Sequence, residues 1–381
     1  MTDAKSPLRI LLGGIPLGCD NIGDEAIIAC VVRMLRESVP GVEITVATAD
    51  AATAERLGVA VAPPFGFLDV GMAGFAAAAK RHDAYVWCGA TGLSDYPHVG
   101  LELLEIAQCA GVPTFVWGVG MDDELNPVFF KAHGKRRALL VATGLLGWYE
   151  RRLRRRLAER IAKVLPRCRG VWLRDPQSAA MLASTGFPGA GVTADSVIMM
   201  RPDQPPPETA RGRTLGLCIS TQRQVADLDG VRGMVAAVRA SGGRVTGIPM
   251  NPKTDRALLE RLGVECIGGT EPEDVIAAAA KCDVVLSSRL HLLILAANAG
   301  TPILGIARGS KLANWLANFG REVEGSVYDC DWKKVTEHVM AELDGRHGDW
   351  LAARDAAYAR LDGRFAKARA EFAEKLEACR G

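Results

Sequence analysis

Leu8-Arg9-Ile10-Leu11-Leu12-Gly13-Gly14 reads as a β-strand that runs into a glycine turn. Behind it, residues 24–38 place Ile27, Ile28, Val31, Val32 and Leu35 at the spacing of one helix face. The same unit recurs. Residues 43–48, 84–88 and 113–119 are expected strands. Two of them end in Gly89-Ala90-Thr91-Gly92 and Gly118-Val119-Gly120, and residues 101–110 form an expected helix. Strands that alternate with helices through short glycine turns predict a parallel sheet covered on both faces.

The middle of the chain breaks this rhythm. Residues 131–169 read as one long basic helix, and from 151 to 169 there are nine Lys or Arg against Glu159 as the one acid. A strand at 170–173 and a helix at 175–184 follow. Arg201-Pro202-Asp203-Gln204-Pro205-Pro206-Pro207 cannot form regular structure, because proline removes backbone donors and fixes φ. It reads as a stiff connector. Beyond it the alternation restarts, with strands expected at 214–220, 244–248, 264–267, 284–287 and 302–306. Helices are expected at 231–240, 255–262, 271–280 and 291–299. Near the end, Leu351, Tyr358, Leu361, Phe365, Phe372 and Leu376 share one helix face.

The fold expected is α/β, with two Rossmann-like domains (1–200 and 201–350) facing a cleft and a C-terminal helix (351–381) packing back. In such sheets ligands bind beyond the carboxyl ends of the strands, so residues just after strands carry the functional signal.

The 381 residues are enough for two domains. With 46 Lys plus Arg against 44 Asp plus Glu, the formal charge is +2. That excludes a broad nucleic-acid-binding surface. The ten cysteines form no Cys-x-x-Cys pair and read as buried free thiols, and no His/Asp/Glu set has metal-ligand spacing. No apolar run reaches the ~20 residues of a membrane span, and the opening residues carry no signal core. A cytoplasmic protein is therefore expected.

Four segments at strand ends could carry chemistry. In the turn before the first helix, Asn21, Gly23, Asp24 and Glu25 combine backbone access with two carboxylates. This is neither the G-x-G-x-x-G nor the Walker pattern. The carboxylates suit hydroxyl recognition or base duty, although a capped helix start explains the same residues. At 287–291, Ser288, Arg289 and His291 set a planar anion fork beside a proton carrier. Arg174 ends another strand, where a surface pairing with Asp175 is the plain alternative. Lys311 follows the strand at 302–306. Three cations and a histidine at strand ends suit a small ligand bearing both phosphate and carboxylate.

These segments also carry a resemblance. Asp20-Asn21-Ile22-Gly23-Asp24-Glu25-Ala26-Ile27 resembles the N-terminal signature of the polysaccharide pyruvyltransferase family. Leu173-Arg174-Asp175-Pro176-Gln177-Ser178 resembles its central arginine motif, and Thr193-Ala194-Asp195-Ser196 its aspartate segment. Ser287-Ser288-Arg289-Leu290-His291 resembles its Ser-Arg-Leu-His signature, and Lys311 falls where the family has a lysine. Where the family has a run of three glycines, this chain has Gly89-Ala90-Thr91-Gly92. The resemblance covers about residues 8–320.

It implies a fold like that of type B glycosyltransferases and transfer of an enolpyruvyl-derived group from phosphoenolpyruvate to a sugar, giving a pyruvate ketal and phosphate. Phosphoenolpyruvate is then the donor substrate and no cofactor is implied. His291 would be the general acid, Arg289 and Arg174 would hold phosphate and carboxylate, and Lys311 would assist. The acceptor would be a sugar or lipid-linked glycan, near Asp24 or Glu25. The alternatives are a nucleotide-sugar glycosyltransferase and a non-catalytic glycan- or phosphate-binding protein. The basic segment 151–169 reads either as a solvated helix face or as a peripheral contact with an anionic inner-membrane surface.

Overall fold

The computed structural model of the chain describes residues 6–202, 212–219, 227–345 and 349–380. They divide into two units that do not follow a single cut in sequence. The first contains the chain up to Leu17, Val31–Asp195 and the chain from Arg364 onward. The second contains Gly18–Cys30 and Ser196–Gly363. Residues 203–207 of the expected proline connector lie outside the described residues.

The first unit is built on seven strands: β1 (Arg9–Gly13), β2 (Glu43–Ala47), β3 (Ala60–Ala62), β4 (Ala84–Cys88), β5 (Thr114–Val119), β6 (Gly170–Leu173) and β7 (Gly191–Val192). Their order is β3-β2-β1-β4-β5-β6-β7, with every pairing parallel. Every residue of β4 and β5 is buried, which matches continuous apolar runs rather than alternation.

The second unit has six strands: β8 (Thr214–Cys218), β9 (Arg244–Gly247), β10 (Glu265–Cys266), β11 (Val284–Ser287), β12 (Ile303–Ala307) and β13 (Gly325–Ser326). They run parallel in the order β10-β9-β8-β11-β12-β13. Here the chain leaves outward through β9 and β10 and returns to the far side of β8 with β11. The crevice beyond the ends of β8 and β11 is thus a topological switch point.

Ten strands fall where the sequence places them. The other three, β3, β7 and β13, are two- or three-residue sheet edges, too short to show a period. The basic stretch 131–169 is not one helix. It holds Gly134–Ala142 and Leu146–Val164, separated at Gly144, whose φ of +69° is left-handed and ends the first helix. The thiols also depart from expectation: all ten are free, but Cys109 is exposed and only Cys30, Cys88, Cys218 and Cys282 are buried. Among the described residues, no helix is long and apolar enough to cross a membrane.

The last helix, Trp350–Glu377, serves both units. In the second, Trp350 is buried and its indole N–H donates to the Gly300 carbonyl at 2.9 Å, while the expected Leu351 is 52% exposed. In the first, Phe372 stacks on Trp117 at 4.7 Å and meets Trp172 and Phe115 edge-on. Phe372→Ala should therefore destabilise the first unit by about 3–5 kcal/mol. Urea titration followed by tryptophan fluorescence measures this, and a transition unchanged from the parent would contradict the packing.

Candidate functional site

At the switch point of the second unit, Ser287 ends β11. Its hydroxyl donates to the Cys218 carbonyl at 3.0 Å and accepts the Arg289 N–H at 2.8 Å. This turn projects Ser288 and Arg289 from the strand end and starts the helix Leu290–Asn298, with His291 in its first turn. Ser288 is buried, and Arg289 and His291 are partly buried.

The partner of Arg289 is Asp255, on the helix Thr254–Arg261. Arg289 Nη2 donates to Asp255 Oδ1 at 2.7 Å and Nε to Oδ2 at 3.0 Å. Asp255 is fully buried, and Oδ2 also accepts the Asn251 N–H at 2.9 Å. Burial alone would lower the Arg289 pKa. The charge and hydrogen bonds of Asp255 outweigh it, helped by Cys218 and Asp24, so the pKa lies above its ordinary value. Burial, then the Asp255 charge, pushes the Cys218 thiol well up. With Nε and Nη2 clasped by Asp255, recognition of an anion falls to the Nη1 side of the fork.

The Asn21–Glu25 segment, expected with the N-terminal half, packs inside the second unit. The Ile22 N–H donates to the Met250 carbonyl at 3.0 Å, and Asn251 Nδ2 to the Cys19 carbonyl at 3.4 Å. Lys253 pairs with Asp20 at 2.5 Å. These ties lay the start of the helix Ile22–Ser38 directly on His291: a Cβ at Gly23 would sit 2.3 Å from its Nδ1. Only glycine permits that approach.

Asn21 and Glu25 do structural work. Asn21 Nδ2 donates to Asp24 Oδ2 at 2.7 Å, and its Oδ1 accepts the Gly23 N–H at 3.3 Å. Glu25 Oε1 accepts the Gly18 N–H at 2.9 Å and closes the loop. Asp24 is buried and near enough to raise the Arg289 pKa. Lys311 lies in the first turn of the helix Ser310–Leu316, after β12, the parallel neighbour of β11.

Arg174 belongs to the first unit, just beyond β6. Its pairing with Asp175, at 3.2 Å through Nε, is buried rather than superficial. Asp175 Oδ1 also caps the helix Pro176–Ser184 through the Ser178 N–H at 2.7 Å. Nη2 of Arg174 is buried without a hydrogen-bond partner, 2.6 Å from where a Gly120 Cβ would stand. A buried guanidinium nitrogen left unpaired is costly, which suits an arriving anion.

Sequence reasoning missed Asp255 and Asn251. Asp255 heads an expected helix, where an acid reads as a dipole complement. The only hint was its place just after the strand at 244–248.

Residues 21–310 match the sequence profile of the family described as polysaccharide pyruvyl transferase. No curated protein matches the chain. Among solved structures, UDP-GlcNAc 2-epimerase from Neisseria meningitidis is 12% identical, covering 98% of this chain and 100% of its own with a TM-score of 0.57. HepE from Anabaena, solved with UDP-glucose, is 15% identical over 97% and 99%, with a TM-score of 0.58. The glycosyltransferase SnogD from Streptomyces nogalater is 19% identical over 99% and 100%, with a TM-score of 0.52. At these identities the likeness is one of fold: α/β with two parallel-sheet units, as in type B glycosyltransferases and epimerases.

Asp255→Ala would leave Arg289 as an uncompensated buried charge. It should lower stability by roughly 3–5 kcal/mol, read by chemical denaturation. A variant as stable as the parent would contradict the clasp.

Proposed function

The chain belongs to the polysaccharide pyruvyl transferase family, and from that premise we propose that it transfers pyruvate from phosphoenolpyruvate to sugar hydroxyls of a glycan or glycan precursor. The single observation that carries the reading is the placement of His291 beside Arg289 at the end of β11, with Asp24 packed in the same unit. A proton donor and an anion fork on neighbouring positions are what an enol phosphate requires.

In this reading His291, as imidazolium, protonates the methylene carbon of phosphoenolpyruvate. The C2 carbon becomes cationic, and a sugar hydroxyl forms a C–O bond to it while its proton passes to a base. Asp24 or Glu25 serves as that base; each already accepts one hydrogen bond within the loop, from Asn21 Nδ2 and from the Gly18 N–H. The bond between C2 and the phosphate oxygen then breaks and phosphate departs. A second hydroxyl attacks C2 and loses its proton, closing the ketal. One hydroxyl proton replaces the one His291 gave up, and the other leaves with phosphate. The Nη1 side of Arg289 holds the phosphate as charge develops on it, and Lys311 adds a second cation. Arg174, in the first unit, keeps a buried Nη2 without a hydrogen-bond partner, which suits an anion. Ser288 lines the turn that presents Arg289.

Incubation with phosphoenolpyruvate and candidate acceptors, assayed for phosphate, tests the reading. His291→Ala should slow release by about a hundredfold or more. Gly23→Ala should lower kcat while leaving donor binding nearly intact, because its methyl group displaces the imidazole. Equal release by His291→Ala and parent would sink the acid role. Binding without release would favour a non-catalytic protein, and turnover of a nucleotide sugar a glycosyltransferase.

A further inference from the structure

The helix Gly134–Ala142 has no buried residue. Six of the eleven large apolar side chains that stand exposed among the described residues lie between 128 and 148: Val128, Phe129, Leu139, Val141, Leu145 and Trp148. Such a concentration is unusual on a monomer surface. It cannot be charged to the helix Leu146–Val164 as a whole. The far half of that helix buries Leu157, Ile161 and Val164 in the core of the first unit, with Leu153 packed against it, while Trp148 near its start is exposed.

The charges divide in the same way. Arg160 and Lys163, on the packed half, pair with Glu105 at 3.5 and 2.5 Å. On the outer half Arg151, Arg152, Arg154, Arg155 and Arg156 are exposed, and among the described residues only Arg155 of these pairs with an acid, Glu159 at 3.3 Å. Residues 131–156 hold nine Lys or Arg and one acid, Glu150. Two contacts tie the apolar and cationic parts together. The Arg152 guanidinium lies 5.3 Å over the Trp148 ring, and Arg136, on the preceding helix, donates to the Tyr149 hydroxyl at 3.0 Å. The left-handed turn at Gly144 joins the two helices with Leu145 exposed at the bend.

We propose that this helical hairpin, residues 128–156, docks on a bilayer rich in anionic phospholipid. Trp148, Leu145, Leu139 and Val141 enter the headgroup boundary, and the arginines meet the lipid phosphates. An amphipathic surface with tryptophan beside arginine fits that boundary, since the apolar part needs burial and the cations need anions. The surface begins upstream of the 151–169 segment that charge alone singles out and shares residues 151–156 with it; of the later cations, Arg160 and Lys163 are paired with Glu105. It does not depend on which reaction the chain performs.

Flotation of the full chain, with neither donor nor acceptor present, tests this. The parent should float with vesicles of equal parts phosphatidylcholine and phosphatidylglycerol, and remain behind with phosphatidylcholine alone. The combined variant Arg152→Glu, Arg155→Glu, Arg156→Glu should lose about a hundredfold in partitioning. Leu145→Ser with Trp148→Ser should weaken binding but leave its salt sensitivity. The other six tryptophans are buried, so brominated phosphatidylglycerol should quench Trp148 emission, and Trp148→Phe should abolish the quenching. The proposal is overturned if the parent ignores anionic vesicles, if the charge-reversed variant binds as tightly, or if no quenching occurs. It is equally overturned if the same face instead forms a lipid-independent dimer that Leu145→Ser dissolves.

Discussion

The clasp of Arg289 by Asp255 is the interaction on which the site depends. Neither charge could be buried alone, and together they satisfy one another through two hydrogen bonds. Asp255 spends its remaining acceptor capacity on the Asn251 N–H, with the Cys218 thiol at 3.6 Å. The pair thereby joins the ends of β8, β9 and β11. Asn251 Oδ1 in turn accepts the Lys253 and Thr254 N–H groups, fixing the start of the helix that carries Asp255. Arg289 becomes a fork with one edge committed and one aimed elsewhere. An exposed arginine would lose conformational freedom on binding, whereas this one has already lost it.

A second constraint is backbone proximity. Two of the candidate side chains that the sequence singled out by position lie over a glycine. His291 packs on Gly23 within the second unit, and Arg174 on Gly120 within the first. In each case a methyl group would stand well inside contact distance of the ring or guanidinium. The glycines hold the polar groups against the main chain, where rotamer choice is narrow. The turn at Gly23 is itself pinned by Asn21 and by the Ile22 hydrogen bond to Met250. A motif that looks like a ligand-binding loop is thus in part a seat for the histidine.

Much of the fold was legible because the central strands are unbroken apolar runs, and only sheets covered on both faces need those. The edges were not. β7 and β13 are defined by pairing with β6 and β12 rather than by any pattern of their own. The division of the basic stretch was hidden because Gly144 sits inside a helical rhythm, and its positive φ leaves no mark on the periodicity. Arg289 and His291 were legible from their place after a strand. Asp255 was not, since its partner is 34 residues away and helix-start acids are commonplace. Nor could the pattern reveal that the first loop packs with the second sheet, because the Asn251–Cys19 contact spans 232 residues.

The central claim is that the bond broken in phosphoenolpyruvate is the one between C2 and oxygen, after protonation by His291. It is tested most directly by labelling the bridging oxygen of the donor with a heavy isotope and analysing the products by mass spectrometry. The account predicts that the label leaves with phosphate and that the glycan gains an unlabelled pyruvate ketal. Label retained in pyruvate, which means attack at phosphorus, would contradict it.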